Sequence, residues 1–217
     1  MDAVEARIDR VTGVSGTGGT AGPVNTWIVG DDDEVIVIDP GESADAVLTV
    51  IGTREVAAVI CTHGHAAHGA AAFGVAKRDE APVAVHGADR LAWREVHGSA
   101  EADIAMEDGG LFEVADVALE VIAAPGHSPG SVCLYSEELG ALFSGDVVSS
   151  GGPVPHDGAF PDFGGQLSSI GAHVLTLDGD TRILPGHGEE LTVATAERRF
   201  DSWVSAGPEG LLEDQAD

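Results

Sequence analysis

"EVAAVICTHGHAAHGA", residues 55–70, decides how this chain is read. An apolar, β-branched run (56–62) reads as a buried strand. It ends abruptly in three histidines, His63, His65 and His68, within six positions. The chain has nine histidines in all, so the crowding points to a purpose. Moving outward, other strand-like runs end the same way. The run 117–124 stops just before "PGHSPG" with His127, 140–145 stops at Asp146, and 181–184 runs into "PGHG" with His187. Side chains on loops at the ends of rigid strands are how α/β proteins build sites. Imidazoles with a carboxylate form a donor set that suits zinc, with iron and manganese as competitors.

The rest of the chain supplies a scaffold for those strand ends. "VNTWIVG" (24–30) and "EVIVIDPG" (34–41), joined by an acidic turn, read as a hairpin. "SADAVLTVIG" (43–52) has helical spacing through Val47, Val50 and Ile51, with Ser43 as N-cap. Residues 69–78 read as a helix, 81–87 as a strand and 88–96 as a helix. The stretch 110–126 reads as two strands turning near Ala115–Asp116, and 131–136 pairs with 140–145 as a second hairpin. Leu167, Ile170, Val174 and Leu177 share one helical face, and 193–204 forms a last helix. Strands lead in each half and helices follow. The expected fold is α/β: two sheets packed face to face with helices outside, a four-layer sandwich. With no repeat, linker or composition break, one domain over 1–217 is expected.

Composition narrows the function. The net charge is −27 and the only lysine is Lys77, a surface that repels nucleic acid and anionic membranes. No run approaches the roughly 20 apolar residues needed to span a bilayer. "MDAVEARIDR" has no apolar signal core, so the cytoplasm is the expected location. Cys61 and Cys133 sit inside apolar strands and read as buried thiols. A small-molecule substrate is the expected partner; the oligomeric state is not legible.

The blocks "THGHAAH" (62–68), "GHSPGS" (126–131), "SGD" (144–146) and "GHG" (186–188) resemble, in order and spacing, the metallo-β-lactamase-fold hydrolases of the glyoxalase II-like superfamily. The resemblance runs over essentially the whole chain and implies their four-layer αβ/βα sandwich. It implies one metal held by His63, His65 and His127. A second would be held by His68, His187 and the aspartate of T-H-x-H-x-D-H, with Asp146 bridging and orienting the water. Asp39 would stand behind the site as a supporting carboxylate. The departure is Ala67, a methyl where the family has that aspartate. No acidic residue lies between Cys61 and Lys77 to replace it, and His156 is the one nearby loop histidine that offers itself as a substitute ligand. His86, His97 and His173 read as structural or surface residues.

The resemblance therefore implies a metal-dependent hydrolase of a small thioester or ester, with one or two zinc ions and a weakened or mononuclear centre. The stretch after His187 offers only Arg198 and Arg199 as basic residues, which argues against glutathione recognition. Likeness to actinobacterial members of the superfamily makes a thioester of another small thiol, such as mycothiol, a candidate. Two alternatives stay open: a mononuclear-iron persulfide dioxygenase using His63, His127 and Asp146, and a non-catalytic relative. An exported β-lactamase fits least.

Overall fold

The computed structural model describes residues 6–13 and 23–214; the acidic start at 1–5 lies outside them. Among the described residues, two six-stranded sheets form. The first runs in sequence order: β1 (Arg7–Thr12), β2 (Asn25–Gly30), β3 (Glu34–Ile38), β4 (Glu55–Ile60), β5 (Val83–His86) and β6 (Ile104–Met106). Its first three strands are antiparallel and the rest join in parallel. The second comprises β7 (Leu111–Val114), β8 (Val117–Ala123), β9 (Val132–Ser136), β10 (Ala141–Gly145), β11 (Arg182–Pro185) and β12 (Leu191–Thr192). Within it only β10 and β11 pair in parallel.

The sheets pack face to face. Trp27, Ile36 and Ile60 from the first meet Leu119, Leu134 and Phe143 from the second in one buried cluster. Trp27 and Phe143 pack edge to face at 6.2 Å, and the Trp27 indole N–H donates to the Pro185 carbonyl of the opposite sheet. Truncating an aromatic buried in this way costs about 3–5 kcal/mol. Helices α1 (Ala44–Ile51), α3 (Ala72–Ala76) and α4 (Arg90–His97) cover the first sheet. Helices α5 (Phe163–Ser169) and α6 (Val193–Asp214) cover the second. This is the expected four-layer arrangement.

Local chemistry explains both the agreements and the departures. Ser43 caps α1 by accepting from the Ala46 amide. Val47 and Ile51, one helical turn apart, face inward, but Val50 is 43% exposed and does not share their face. Residues 69–78 are not one helix. The Ala71 amide donates to the Gly41 carbonyl rather than to its own helix, which separates α3 from the short α2 (Ala66–Gly69). The helix over 163–174 ends in a wider π turn, Ile170–Val174. Helix α6 extends beyond residue 204 and is interrupted at Gly207, whose φ is +67°, followed by Pro208. Ala115 and Asp116 both adopt positive φ, the primed turn that suits the β7–β8 hairpin.

Candidate metal centre

The C-terminal ends of β3, β4, β8, β10 and β11 deliver Asp39, His63, His127, Asp146 and His187 to one edge of the sandwich. His65 and His68 follow on the β4–α2 segment. All six histidine and aspartate side chains expected at the site come together there. His63, His65 and His127 form one group of converging donor atoms and His68, Asp146 and His187 another, each with its atoms within 4.8 Å of one another. Asp146 Oδ2 sits among four imidazoles: 3.1 Å from His68 Nε2, 3.5 Å from His187 Nε2, 3.6 Å from His127 Nε2 and 3.9 Å from His63 Nε2. Glycines permit this crowding. A Cβ on Gly145, at φ +48°, would strike the Thr62 side chain, and one on Gly186 would strike the His68 ring and Asp146.

Hydrogen bonds behind the rings fix which nitrogen faces inward. His127 Nδ1–H donates to the Val154 carbonyl (2.9 Å) and His187 Nδ1–H to the Pro23 carbonyl (3.2 Å). His68 Nδ1–H donates to Asp39 Oδ2 (3.0 Å). Thr62 spends its hydroxyl hydrogen on Asp39 Oδ2 (2.7 Å), so at 3.1 Å it accepts from His63 Nδ1–H. In all four rings Nε2 is thereby aimed at the cluster.

The residues fit a cation. Nitrogens bound tetrahedrally at 2.0–2.1 Å to one zinc lie about 3.3 Å apart. His65 Nδ1 and His127 Nε2 are 3.1 Å apart, and His68 Nε2 and His187 Nε2 3.3 Å. His63 Nε2 and Asp146 Oδ1 are buried with no hydrogen-bond partner, as atoms that answer to an ion would be.

The electrostatics differ between the two groups. Burial, then the neighbouring His68 and His127, holds His63 well below an ordinary imidazole. Burial, then His127 and His156, lowers His65 to about 3, and burial also lowers His127. At His68 burial works against charging, but Asp146 and Asp39 on either side outweigh it and push the ring up to about 10. Burial opposes ionisation of Asp146 too, yet His68 and His187 hold it well below the usual carboxylate range.

Asp39 also lies near His63 and His68, but Thr62 N–H, Thr62 O–H and His68 N–H already occupy its oxygens. Its hydrogen bonds hold His68 directly and His63 through Thr62. Ala67 brings no carboxylate, and among the described residues no group of converging donors contains one other than Asp39 or Asp146. His156 joins none of these groups; it stacks on His65. His173 is exposed and His97 packs on Phe73 and Trp93. His86 receives the Ala88 amide.

Sequence reasoning missed three supports. Buried Asp89 accepts from Gly64 N–H (2.8 Å), Ser128 O–H (2.7 Å) and Gly130 N–H (2.6 Å), tying the His63–His65 loop to the His127 loop. Asn25 Nδ2 donates to the Pro185 and Gly188 carbonyls on either side of His187. Buried Gln166 donates to the backbone carbonyls of Asp146, Val147 and Val154. Only "HGAD" before a helix, with its acid at a helix start, offered any local signal, and it named no partner.

Comparison with known proteins shows the family. The sequence model described as the metallo-beta-lactamase superfamily matches residues 19–187. The chain belongs to that superfamily. It is 31% identical over 192 residues to the probable metallo-hydrolase YqgX of Bacillus subtilis, covering 81% of this chain and 91% of the relative. It is 26% identical to the hydroxyacylglutathione hydrolase GloC of Haemophilus influenzae, covering 82% and 92%. The crystal structure of TTHA1623 in a di-iron-bound form superposes with a TM-score of 0.71 at 27% identity, covering 88% of this chain and 97% of that one. No helix among the described residues is long and apolar enough to cross a membrane.

Proposed function

We propose that this superfamily member is a metal-dependent hydrolase of a small thioester, with a tight first metal pocket at His63, His65 and His127 and a weakened second at His68, Asp146 and His187. The observation that carries the reading is the set of converging Nε2 atoms around Asp146, each ring oriented from behind. Zinc fits the nitrogen-rich first pocket best; the di-iron state of the TTHA1623 neighbour makes iron its competitor.

A bound divalent cation supplies Lewis acidity, activating water at neutral pH and polarising a carbonyl. The chain's own residues do the rest. Three imidazoles kept neutral by burial offer lone pairs without competing protons. Asp146, held ionised, supplies the negative charge that keeps the two pockets together. Ala67 removes the one family carboxylate placed to handle a proton beside the second pocket. An amine leaving group needs a proton; a thiolate leaves without one. That difference favours a thioester over a lactam amide, and the hydroxyacylglutathione hydrolase relative, whose name denotes a thioesterase, supports it.

The test is thiol release from a panel of acyl thioesters with glutathione, coenzyme A and mycothiol carriers, before and after chelation and zinc return. Release that disappears on chelation and returns with zinc is expected. A fully metal-loaded chain that liberates no thiol from any of them would overturn the thioesterase reading.

A further inference from the structure

Four of the five histidines at the centre are held from behind by a hydrogen bond from Nδ1: His63 by Thr62, His68 by Asp39, His127 by Val154 and His187 by Pro23. His65 is the exception. Its Nδ1 faces His127 into the site, and its Nε2 has no protein partner among the described residues. It sits at the N-cap of α2 without a side-chain bond to that helix. The next two residues, Ala66 and Ala67, carry only methyl groups. On its own segment the ring meets only the edge-to-face contact of His63, centroids 4.7 Å apart, and no hydrogen bond from that helix holds it.

His156 supplies the missing restraint. Its ring lies face to face on His65, centroids 3.7 Å apart and planes within 9°. The loop that carries it is built for rigidity. His156 and Ala159 exchange both backbone hydrogen bonds, at 2.8 and 3.0 Å, across the two-residue turn Asp157–Gly158. Both turn residues have positive φ, 48° and 74°, the type I′ geometry for which Asp-Gly is a preferred sequence. The ring is itself 39% exposed, so burying a core does not account for its placement.

We propose that His156 is a positioning residue: its ring face clamps His65 and keeps Nδ1 aimed into the first metal pocket. This rests on reading His63, His65 and His127 as that pocket. His156 is not a ligand in this role. Parallel planes 3.7 Å apart direct the two rings' lone pairs alongside one another, not to a single cation. The clamp does for His65 what a hydroxyl, a carboxylate or a carbonyl does for each of the other rings.

The experiment measures zinc affinity by chelator competition in the full chain, comparing wild type with His156→Ala and His156→Phe. Loss of one stacked aromatic pair corresponds to about a three- to tenfold weakening. His156→Ala is expected to show it, and His156→Phe, which keeps a ring face but has no nitrogen, to restore affinity to within about twofold by the same stacking. Because the side chain is exposed, the metal-free melting point of both variants is expected to match wild type. Unchanged affinity in His156→Ala overturns the proposal. So does a loss in His156→Phe equal to that in His156→Ala, which would mean that the nitrogen matters and the ring face does not. A wild-type chain that binds no zinc would fail earlier, at the metal pocket itself.

Discussion

The two halves of the centre are built differently. The first pocket takes three imidazoles from two loops, kept neutral by burial and tied together by Asp89. The second draws His68, Asp146 and His187 from three separate segments and depends on a carboxylate pair, Asp39 and Asp146, that holds a charged His68 between them. Removing one acid at position 67 therefore leaves the first pocket untouched and takes charge from the second alone. On the proposed reading, the loss falls on one group of donors and spares the other.

The largest effect is expected where the pockets meet. Asp146→Asn alters the oxygen surrounded by four imidazoles, and hydrolysis should fall by more than the roughly 10- to 100-fold typical of outer-sphere partners. A residual rate close to wild type would show that the pockets do not share this residue.

Next come two changes that should act on opposite pockets. Asp39→Asn places an amide where His68 and Thr62 need acceptors, and should weaken the second pocket about 10- to 100-fold, and the first, reached only through Thr62, by less. Asp89→Asn leaves one acceptor oxygen for donors that now use two, and should weaken the first pocket about tenfold with little change in the second. Chelator competition resolving the two affinities gives the crossed pattern, or its absence.

A smaller but sharper difference lies in protons. Metal-free His68, raised to about 10, carries two ring protons at pH 8, and coordination through Nε2 must expel one. Filling the second pocket at pH 8 should release close to one proton, whereas a histidine at the ordinary value of 6.5 would release about 0.03. Affinity there should keep rising with pH up to about 10. The first pocket's rings are already neutral, so any proton released on filling it comes from metal-bound water and should vanish well below pH 7, where His68 still gives one up. An indicator-dye titration in weak buffer reads both steps.

What the sequence disclosed depended on range. The strand-end histidines His63, His127 and His187 were legible because each follows a strand-like apolar run within a few residues, and Ser43 and Ala115–Asp116 because caps and turns are local. The edge strands β1, β6 and β12 were not: β6 has three residues and β12 two, too short for a period to register. The break between α2 and α3 depends on Gly41, some 30 residues upstream of Ala71. The grips of Asp89 and Asn25 span 25–41 and 160–163 residues, and the His65–His156 stack joins segments equally remote, so no local pattern could announce them. Ala67 was legible only as a gap, and the structure adds that Asp39 already accepts three hydrogen bonds.

The most direct measurement is tightly held metal per chain, by elemental analysis after exhaustive dialysis, for the native chain beside Ala67→Asp. About one equivalent in the first and a second gained in the other is the result this asymmetry requires. Two equivalents held equally firmly by both, or none by either, would contradict it.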